Sequence, residues 1–201
     1  TKERFLDRAR YMPTVVRSGD GYVQPFYDSP LDDRNVGETV FMHIINRAQR
    51  YVYITTPYLI LDNEMITALT VAAQSGIDVR IITPGIPDKK LVYRVTRSYY
   101  QQLHRAGVKI YEYRPGFLHA KMILSDDDVA VVGTMNMDFR SFFLHFECGT
   151  VLYGGETINE IRDDVLDTMG LSRQIDDEWF RSVPWLASIA ASILRLFAPM
   201  L

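Results

Sequence analysis

The chain reads as an α/β domain, a mixed β-sheet flanked by helices on both faces, and three observations predict it. Between residues 51 and 83 a strand, a helix and a second strand follow one another, the signature of a right-handed parallel crossover. A further helix-then-strand pattern covers residues 88–113 and extends the parallel part. From residue 117 to 132 an alternating run and an apolar run flank the turn formers Ser125 to Asp128, which adds an antiparallel hairpin.

Each element has a local reason. Residues 1–20 are charged and then mixed, and read as a lead-in to a domain spanning 21–201. Residues 21–28 carry strand-forming aromatics, and Pro25 confines them to a sheet edge. A helix is expected over 38–50, with Val40, Phe41, Ile44, Ile45 and Ala48 on one face. His43 falls among these and reads as solvated or hydrogen-bonded. Residues 51–56 form a strand ended by Pro57-Tyr58. Asp62 or Asn63 caps the following helix, and Gly76 stops it. Residues 77–83 make the next strand. The loops at the carboxyl ends of these parallel strands, Pro57-Tyr58 and residues 84–87, are where a ligand would gather.

A long helix is expected over 88–106, with Asp88 as cap and Gly107 as stop. Lys90, Arg94, Arg97 and His104 fall near one stripe of it, either a solvated face or an anion-attracting rim for lipid headgroups. Strands at 108–113 and 147–153 and an amphipathic helix at 156–169 complete the pattern. Residues 184–201 are apolar apart from Ser188, Ser192 and Arg195. They read as a helix docked on the protein or lying in a membrane interface, too short to span.

The residues that carry chemistry lie between 117 and 147. Alternation puts Phe117, His119, Lys121 and Ile123 on one side of an expected strand, and Leu118, Ala120, Met122 and Leu124 on the other. His119 and Lys121 thus share a face where a buried sheet would place two hydrophobes. An imidazole titrates near working pH and can serve as nucleophile or general base. A lysine ammonium supplies a compact charge for a phosphoryl oxygen. Thr134 and Asn136 offer neutral donors to the same oxygens. A lone H-x-K would be an ordinary polar hairpin face. The complete pattern H-x-K-x4-D-x6-G-T-x-N gives each polar residue a phosphate role, and that points to a phosphate site.

Composition bounds the alternatives. At 47% hydrophobic, 201 residues bury one good core. A net charge of −3 and a pI near 5.8 do not suggest a general nucleic-acid binder. Cys148 is the single cysteine, which excludes an internal disulfide and reads as a small buried residue. With scattered histidines and no carboxylate cluster, neither a metal nor another cofactor is expected.

His119, Lys121, Asp126, Gly133, Thr134 and Asn136 as they stand here resemble the signature of the phospholipase D superfamily. The continuation NMDFRSFFLHFE resembles bacterial cardiolipin synthases, as do TPYL and the segment after ITP. The resemblance to the carboxyl-terminal half of such a synthase covers nearly the whole chain. It implies a single phospholipase D-type domain and a phosphatidyltransferase that converts two phosphatidylglycerol molecules to cardiolipin and glycerol through a phosphatidyl-histidine.

It implies further that His119, Lys121, Asp126, Asn136 and Glu147 are catalytic, with Asp126 orienting a histidine or bracing the hairpin and Glu147 fixing an imidazole tautomer. Thr134, Tyr58 and His145 would contact substrate. His145 departs from the family, where many relatives have asparagine. Such synthases carry two motifs, so the partner would be a second H-x-K-x4-D in the same polypeptide or in a homodimer. The substrate would be anionic phospholipid at the bacterial cell membrane, with this segment soluble or peripheral on its cytoplasmic side. Two other functions are left open: a homodimeric phosphodiesterase or nuclease, and an inert half-domain that binds lipid or its partner.

Overall fold

Alternation along the strands sorts the side chains into two apolar layers, one on each face of a large sheet. The structure is a computed structural model and describes residues 19–185 together with 12, 14 and 193–195. Its elements in chain order are β1 (Tyr22–Asp28), α1 (Val36–Arg47), β2 (Tyr51–Thr55), β3 (Leu59–Ile60), α2 (Asn63–Gln74), β4 (Asp78–Pro84), α3 (Lys90–Arg105) and β5 (Lys109–Tyr113). They continue with β6 (Met122–Ser125), β7 (Val129–Gly133), β8 (Met137–Asp138), α4 (Phe139–Phe143), β9 (Glu147–Tyr153), α5 (Glu156–Gly170), β10 (Ser172–Ile175) and α6 (Asp177–Ser182).

The main sheet runs β1-β9-β7-β6-β2-β4-β5-β10, and β3 pairs with β8 alone. Strands β2, β4 and β5 are mutually parallel, and the other pairings in the main sheet are antiparallel. Val52, Ile54, Ile81, Ile110 and Ile123 face one way, into a core closed by α1, α2 and α3. Tyr51, Tyr53, Ile82, Leu124 and Ala130 face the other way, against Ile158, Val165 and Met169 of α5. Burying each such aliphatic side chain contributes about 1.5–3 kcal/mol, which fixes the register of the strands.

Capping sets where the helices begin and end. Asp62 caps α2 by accepting from the Met65 amide at 2.8 Å. Gly76 and Gly107 take the positive φ that stops α2 and α3. Helix α1 ends at Arg47, three residues before the sequence pattern does, because the amides of Gln49 and Arg50 are held elsewhere, by Asp126. Helix α3 starts at Lys90 and no side chain caps it. Asp88, expected to be that cap, bonds Tyr58 instead.

Other expectations need correcting. Arg97 does not belong to a solvated stripe: it forms a two-pronged pair with buried Glu112 at 2.7 and 2.8 Å, and Tyr93 and Tyr100 also bond that carboxylate. His104 pairs with Asp177, while Lys90 and Arg94 are exposed. Cys148 is exposed, because the alternation that buries Glu147 and Gly149 turns it to the other face, opposite the exposed Tyr27. The expected carboxyl-terminal helix lies outside the described residues except for 193–195, where Leu194 packs on the core and Arg195 sits 4.1 Å over the Tyr99 ring.

Candidate active site

One end of the central strands collects the sequence-predicted residues other than Asp126. Because β2 and β6 are antiparallel, with Thr55 opposite Met122, the chain entering β6 stands at the carboxyl end of β2. Strand β7 ends there too, with Gly133 opposite Gly149, and β9 begins there at Glu147. His119 and Lys121 precede β6, Thr134 and Asn136 follow β7, and Glu147 opens β9. The hairpin topology therefore converges five residues spread over 29 positions of sequence onto one rim.

The expected strand over 117–124 begins only at Met122. Residues 117–121 lie outside it, and the Gly133 amide reaches the Lys121 carbonyl at a long 3.3 Å. Alternation survives nonetheless. Leu118, Met122 and Leu124 pack toward α5, whereas the Phe117 and His119 rings lie together at 5.3 Å. His119 is exposed, and Lys121 is partly buried with its Nζ donating to the His119 carbonyl at 2.8 Å. That bond uses one of three ammonium donors. Burial and the neighbouring Lys121 charge hold the His119 pKa below the usual histidine value, with Asp88 pulling the other way. The Lys121 pKa is lowered by burial, against the pull of Glu147 and Asp138.

Gly133 is required by close approach: a Cβ there would stand 2.5 Å from the Cys148 carbonyl oxygen. The contact lets Thr134 dock on β9. Its amide bonds the Cys148 carbonyl at 2.9 Å, its hydroxyl accepts from the Cys148 amide at 3.0 Å, and that hydroxyl donates to the buried Glu147 carboxylate. His145 is half exposed, with Nδ1 3.9 Å from the other Glu147 oxygen. Asn136 donates through Nδ2 to Asp138 at 3.2 Å and to Ser141 at 3.1 Å, while its Oδ1 is buried without a partner. As the side chains stand, the donors of Thr134 and Asn136 are engaged within the protein, and the Lys121 ammonium is the group with donors to spare.

Tyr58 enters through the small ribbon. Leu59 pairs with Met137, so Tyr58 and Asn136 stand immediately before paired residues. Thr56 stitches that junction, donating to the Tyr58 carbonyl at 2.7 Å and accepting from the Met137 amide at 3.0 Å. The Tyr58 phenol donates to Asp88, and burial together with that bond raises its pKa.

Asp126 is not brought to this rim. It lies in the β6–β7 turn, at the opposite end of the hairpin, where it and Asp127 adopt positive φ of 58° and 61°. Its carboxylate accepts from the amides of Gln49, Arg50 and Tyr51 at 2.7 to 2.9 Å, and so braces the hairpin against β2. A cavity of about 600 Å³ beside it, between α1 and the turn, lies on that same far edge.

Asp138 and Ser141 carry no expectation from the sequence, and Asp88, expected only as a helix cap, joins the rim through Tyr58. Asp138 caps α4 by accepting from the Ser141 amide at 2.7 Å. Its signal is an aspartate directly before a helical turn, the residue type preferred at an N-cap. Asp88 gave no signal beyond its place before a helix.

Residues 41–168 match the family model for the cardiolipin synthase, phospholipase D-like domain. The chain belongs to this family. Among its relatives, a cardiolipin synthase from Geobacillus kaustophilus is 42% identical over 189 residues, 94% of this chain and 38% of that protein. One from Geobacillus thermodenitrificans is 41% identical over 203 residues, 100% of this chain and 40% of that protein. The chain thus spans about two fifths of the length of these curated relatives. Two solved structures share the fold. The phospholipase D family member Nuc from Salmonella typhimurium superposes with a TM-score of 0.67 at 15% identity, over 79% of this chain and all of that one. The phosphatidylserine synthase of Haemophilus influenzae gives 0.67 at 16% identity, over 89% of this chain and 47% of that one. The phospholipase D-like domain seen here is therefore a mixed sheet flanked by helices. No helix among its described residues is long and apolar enough to cross a membrane.

Proposed function

We propose that this domain supplies one half of a phosphatidyltransferase active site, in which two phosphatidylglycerol molecules give cardiolipin and glycerol. Membership of the cardiolipin synthase, phospholipase D-like domain family supports a phospholipid substrate and a transferase-type reaction. The observation that carries the reading is the pairing of exposed His119 with Lys121, an ammonium with two donors to spare, at the carboxyl end of the parallel strands where loops gather ligands.

A motif histidine attacks phosphorus through an imidazole nitrogen, forming the P–N bond as the bond from phosphorus to the glycerol oxygen breaks. The second motif histidine protonates that departing oxygen. It then removes the proton from the incoming hydroxyl of a second phosphatidylglycerol, whose oxygen bonds to phosphorus as the P–N bond breaks. His119 fills the nucleophile role when neutral and the proton-donor role when protonated, and the downward shift of its pKa by burial and the Lys121 charge favours the neutral, nucleophilic form. Lys121 holds a non-bridging oxygen of the phosphoryl group. Glu147 accepts from the Thr134 hydroxyl, and its charge, with that of Asp138, works against the lowering of the Lys121 pKa by burial. Asn136 reaches a phosphoryl oxygen on releasing Asp138 or Ser141. His145 is placed to pair with Glu147 and with an anionic headgroup. Substrate reaches this rim from the membrane surface.

The test is turnover of phosphatidylglycerol vesicles by the full protein, with acid quench to trap a phosphatidyl-enzyme. Cardiolipin formation and a histidine-linked adduct, both absent in His119→Ala, are expected. Cardiolipin formation that persists in His119→Ala would overturn the reading.

A further inference from the structure

The two loops at the carboxyl ends of β2 and β4 are tied together by one hydrogen bond, from the Tyr58 phenol to Asp88 Oδ2. The same carboxylate accepts from the Lys89 amide at 2.6 Å, and the Lys89 ammonium lies 5.7 Å from the centre of the Tyr58 ring. The pair stands on the active-site rim. Tyr58 adjoins Asn136 through the β3–β8 register, and Asp88 lies near enough to His119 to act on its charge.

The chemistry of this pair differs from that of Lys121. With its proton committed to Asp88, the Tyr58 oxygen offers only lone pairs. A carboxylate has about four acceptor positions, and two are occupied here by Tyr58 and Lys89. The rim therefore has a donor side at Lys121, matched to phosphate oxygens, and an acceptor side at Tyr58 and Asp88. Acceptors repel a phosphate and bind hydroxyl groups. Asp88 is exposed, so its remaining positions are open to a ligand.

We infer that the Tyr58–Asp88 pair is an alcohol subsite, which seats the hydroxyl-bearing polyol and so favours transfer to an alcohol over hydrolysis by water. The inference rests on the phosphatidyl-transfer reading. Water and an alcohol oxygen are equivalent to phosphorus, so discrimination between them requires a contact to the rest of the polyol. A site built to hydrogen-bond a hydroxyl discriminates strongly against a competitor that cannot fill it.

The experiment compares the full wild-type protein with Asp88→Asn and Tyr58→Phe in phosphatidylglycerol vesicles. It reads the ratio of cardiolipin to phosphatidic acid, and the ratio of labelled glycerol exchanged into phosphatidylglycerol to phosphatidic acid. A fall of about tenfold in either ratio is expected, the scale of losing one hydrogen bond to a charged group. A fall in the first assigns the subsite to the lipid headgroup, and a fall in the second to free glycerol. A merely structural role for the pair lowers transfer and hydrolysis together and leaves both ratios unchanged, which overturns the inference alone. A wild-type protein that consumes no phosphatidylglycerol overturns the transfer reading, and the inference with it.

Discussion

Lys121 turns its ammonium back to the carbonyl oxygen of His119, 2.8 Å away, so the charge that would hold a phosphoryl group is parked beside the imidazole. A phosphate oxygen can take either of the two remaining ammonium donors without displacing that neutral acceptor. Removing the charge should therefore damage turnover far more than folding. Lys121→Met is expected to lower kcat by roughly 10²–10³-fold, the scale of losing one donor to a developing anion. Its effect on stability should stay near 1 kcal/mol, since a single hydrogen bond is lost. Parallel kinetics and thermal melts check the split, and a melt that collapses along with turnover would assign Lys121 a structural role.

The same pair makes a prediction about protons. Burial and the Lys121 charge both hold the His119 pKa down, so deleting the ammonium should raise it. Proton NMR of the imidazole resonances, compared between wild type and Lys121→Met, reads this without any need for turnover. An unchanged or lowered His119 titration in the variant would mean that Lys121 does not act on the imidazole.

Asp126 makes a contrasting prediction. Three backbone amides converge on its carboxylate, which is the reason its pKa lies below the usual aspartate range even though partial burial works against this. Its neighbour Asp127, bonded to Tyr51, Arg162 and Arg50, is held at about 2. Depressed carboxylates stabilise the fold above their unfolded pKa of about 3.9, and that stability is lost as pH falls toward the folded values. Asp126→Ala should cost about 2 kcal/mol at neutral pH and flatten the loss of stability between about pH 4 and pH 2. Activity per folded molecule should hold, because the turn lies at the far end of the hairpin from His119. A variant that melts like wild type but is inactive would return Asp126 to the catalytic group.

Much of this arrangement was legible in the sequence, and the exceptions share a physical character. The crossover β2–α2–β4 followed from an apolar run, an Asp62 cap and a Gly76 stop, all signals carried within a few residues. The grouping of His119 with Phe117 followed from alternation, which outlasts the strand hydrogen bonds. Strand β10 could not be read, because Ser-Arg-Gln-Ile has no apolar period and is a strand only through its pairing with β5. Asp88 looked like a cap because helix capping is local, whereas its actual partner Tyr58 is 30 residues away. Arg97 looked solvated for the same reason, since Glu112 reaches it only once β5 packs beneath α3. Cys148 sits in an apolar strand, but the alternation that buries Glu147 and Gly149 turns it outward.

Glu38 is a carboxyl placed against a carboxylate. Burial, followed by its hydrogen bond to Asp62 and the Asp62 charge, pushes its pKa up to about 7. A group raised in the folded state contributes stability that is complete below its unfolded value of about 4.3 and is lost as pH rises through 7. Glu38→Gln keeps a donor for Asp62 without the charge. It should raise Tm at pH 8.5, on the order of one to a few degrees, and leave Tm nearly unchanged at pH 4. Equal shifts at both pH values would show that ionisation of Glu38 is not what limits stability in the alkaline range.

The last prediction concerns what one motif can do alone. In-line displacement at phosphorus needs a nucleophile on one side and a proton donor on the leaving-group side. His119 cannot occupy both positions at once. His104 of α3 is paired with Asp177 of α6, and His43 is exposed on α1 at the cavity by Asp126, so neither faces the rim. His145 is the remaining candidate, but its Nδ1 stands 3.9 Å from Glu147, the carboxylate whose charge also acts on Lys121. The rim is correspondingly open: His119 is exposed, and Leu144 and Phe146, which flank His145 in the chain, are 50% and 69% exposed. Residues 1–201 held strictly monomeric should therefore turn over phosphatidylglycerol at a negligible rate. Activity should appear only when a second motif faces the first across an approximate two-fold axis. The measurement is cardiolipin formation as a function of protein concentration, with mass confirmed by light scattering at each point. A specific activity that rises with dimer fraction supports pairing. Robust formation by monomer that vanishes in His119→Ala would show that one motif suffices, and the paired-histidine mechanism would be wrong for this protein.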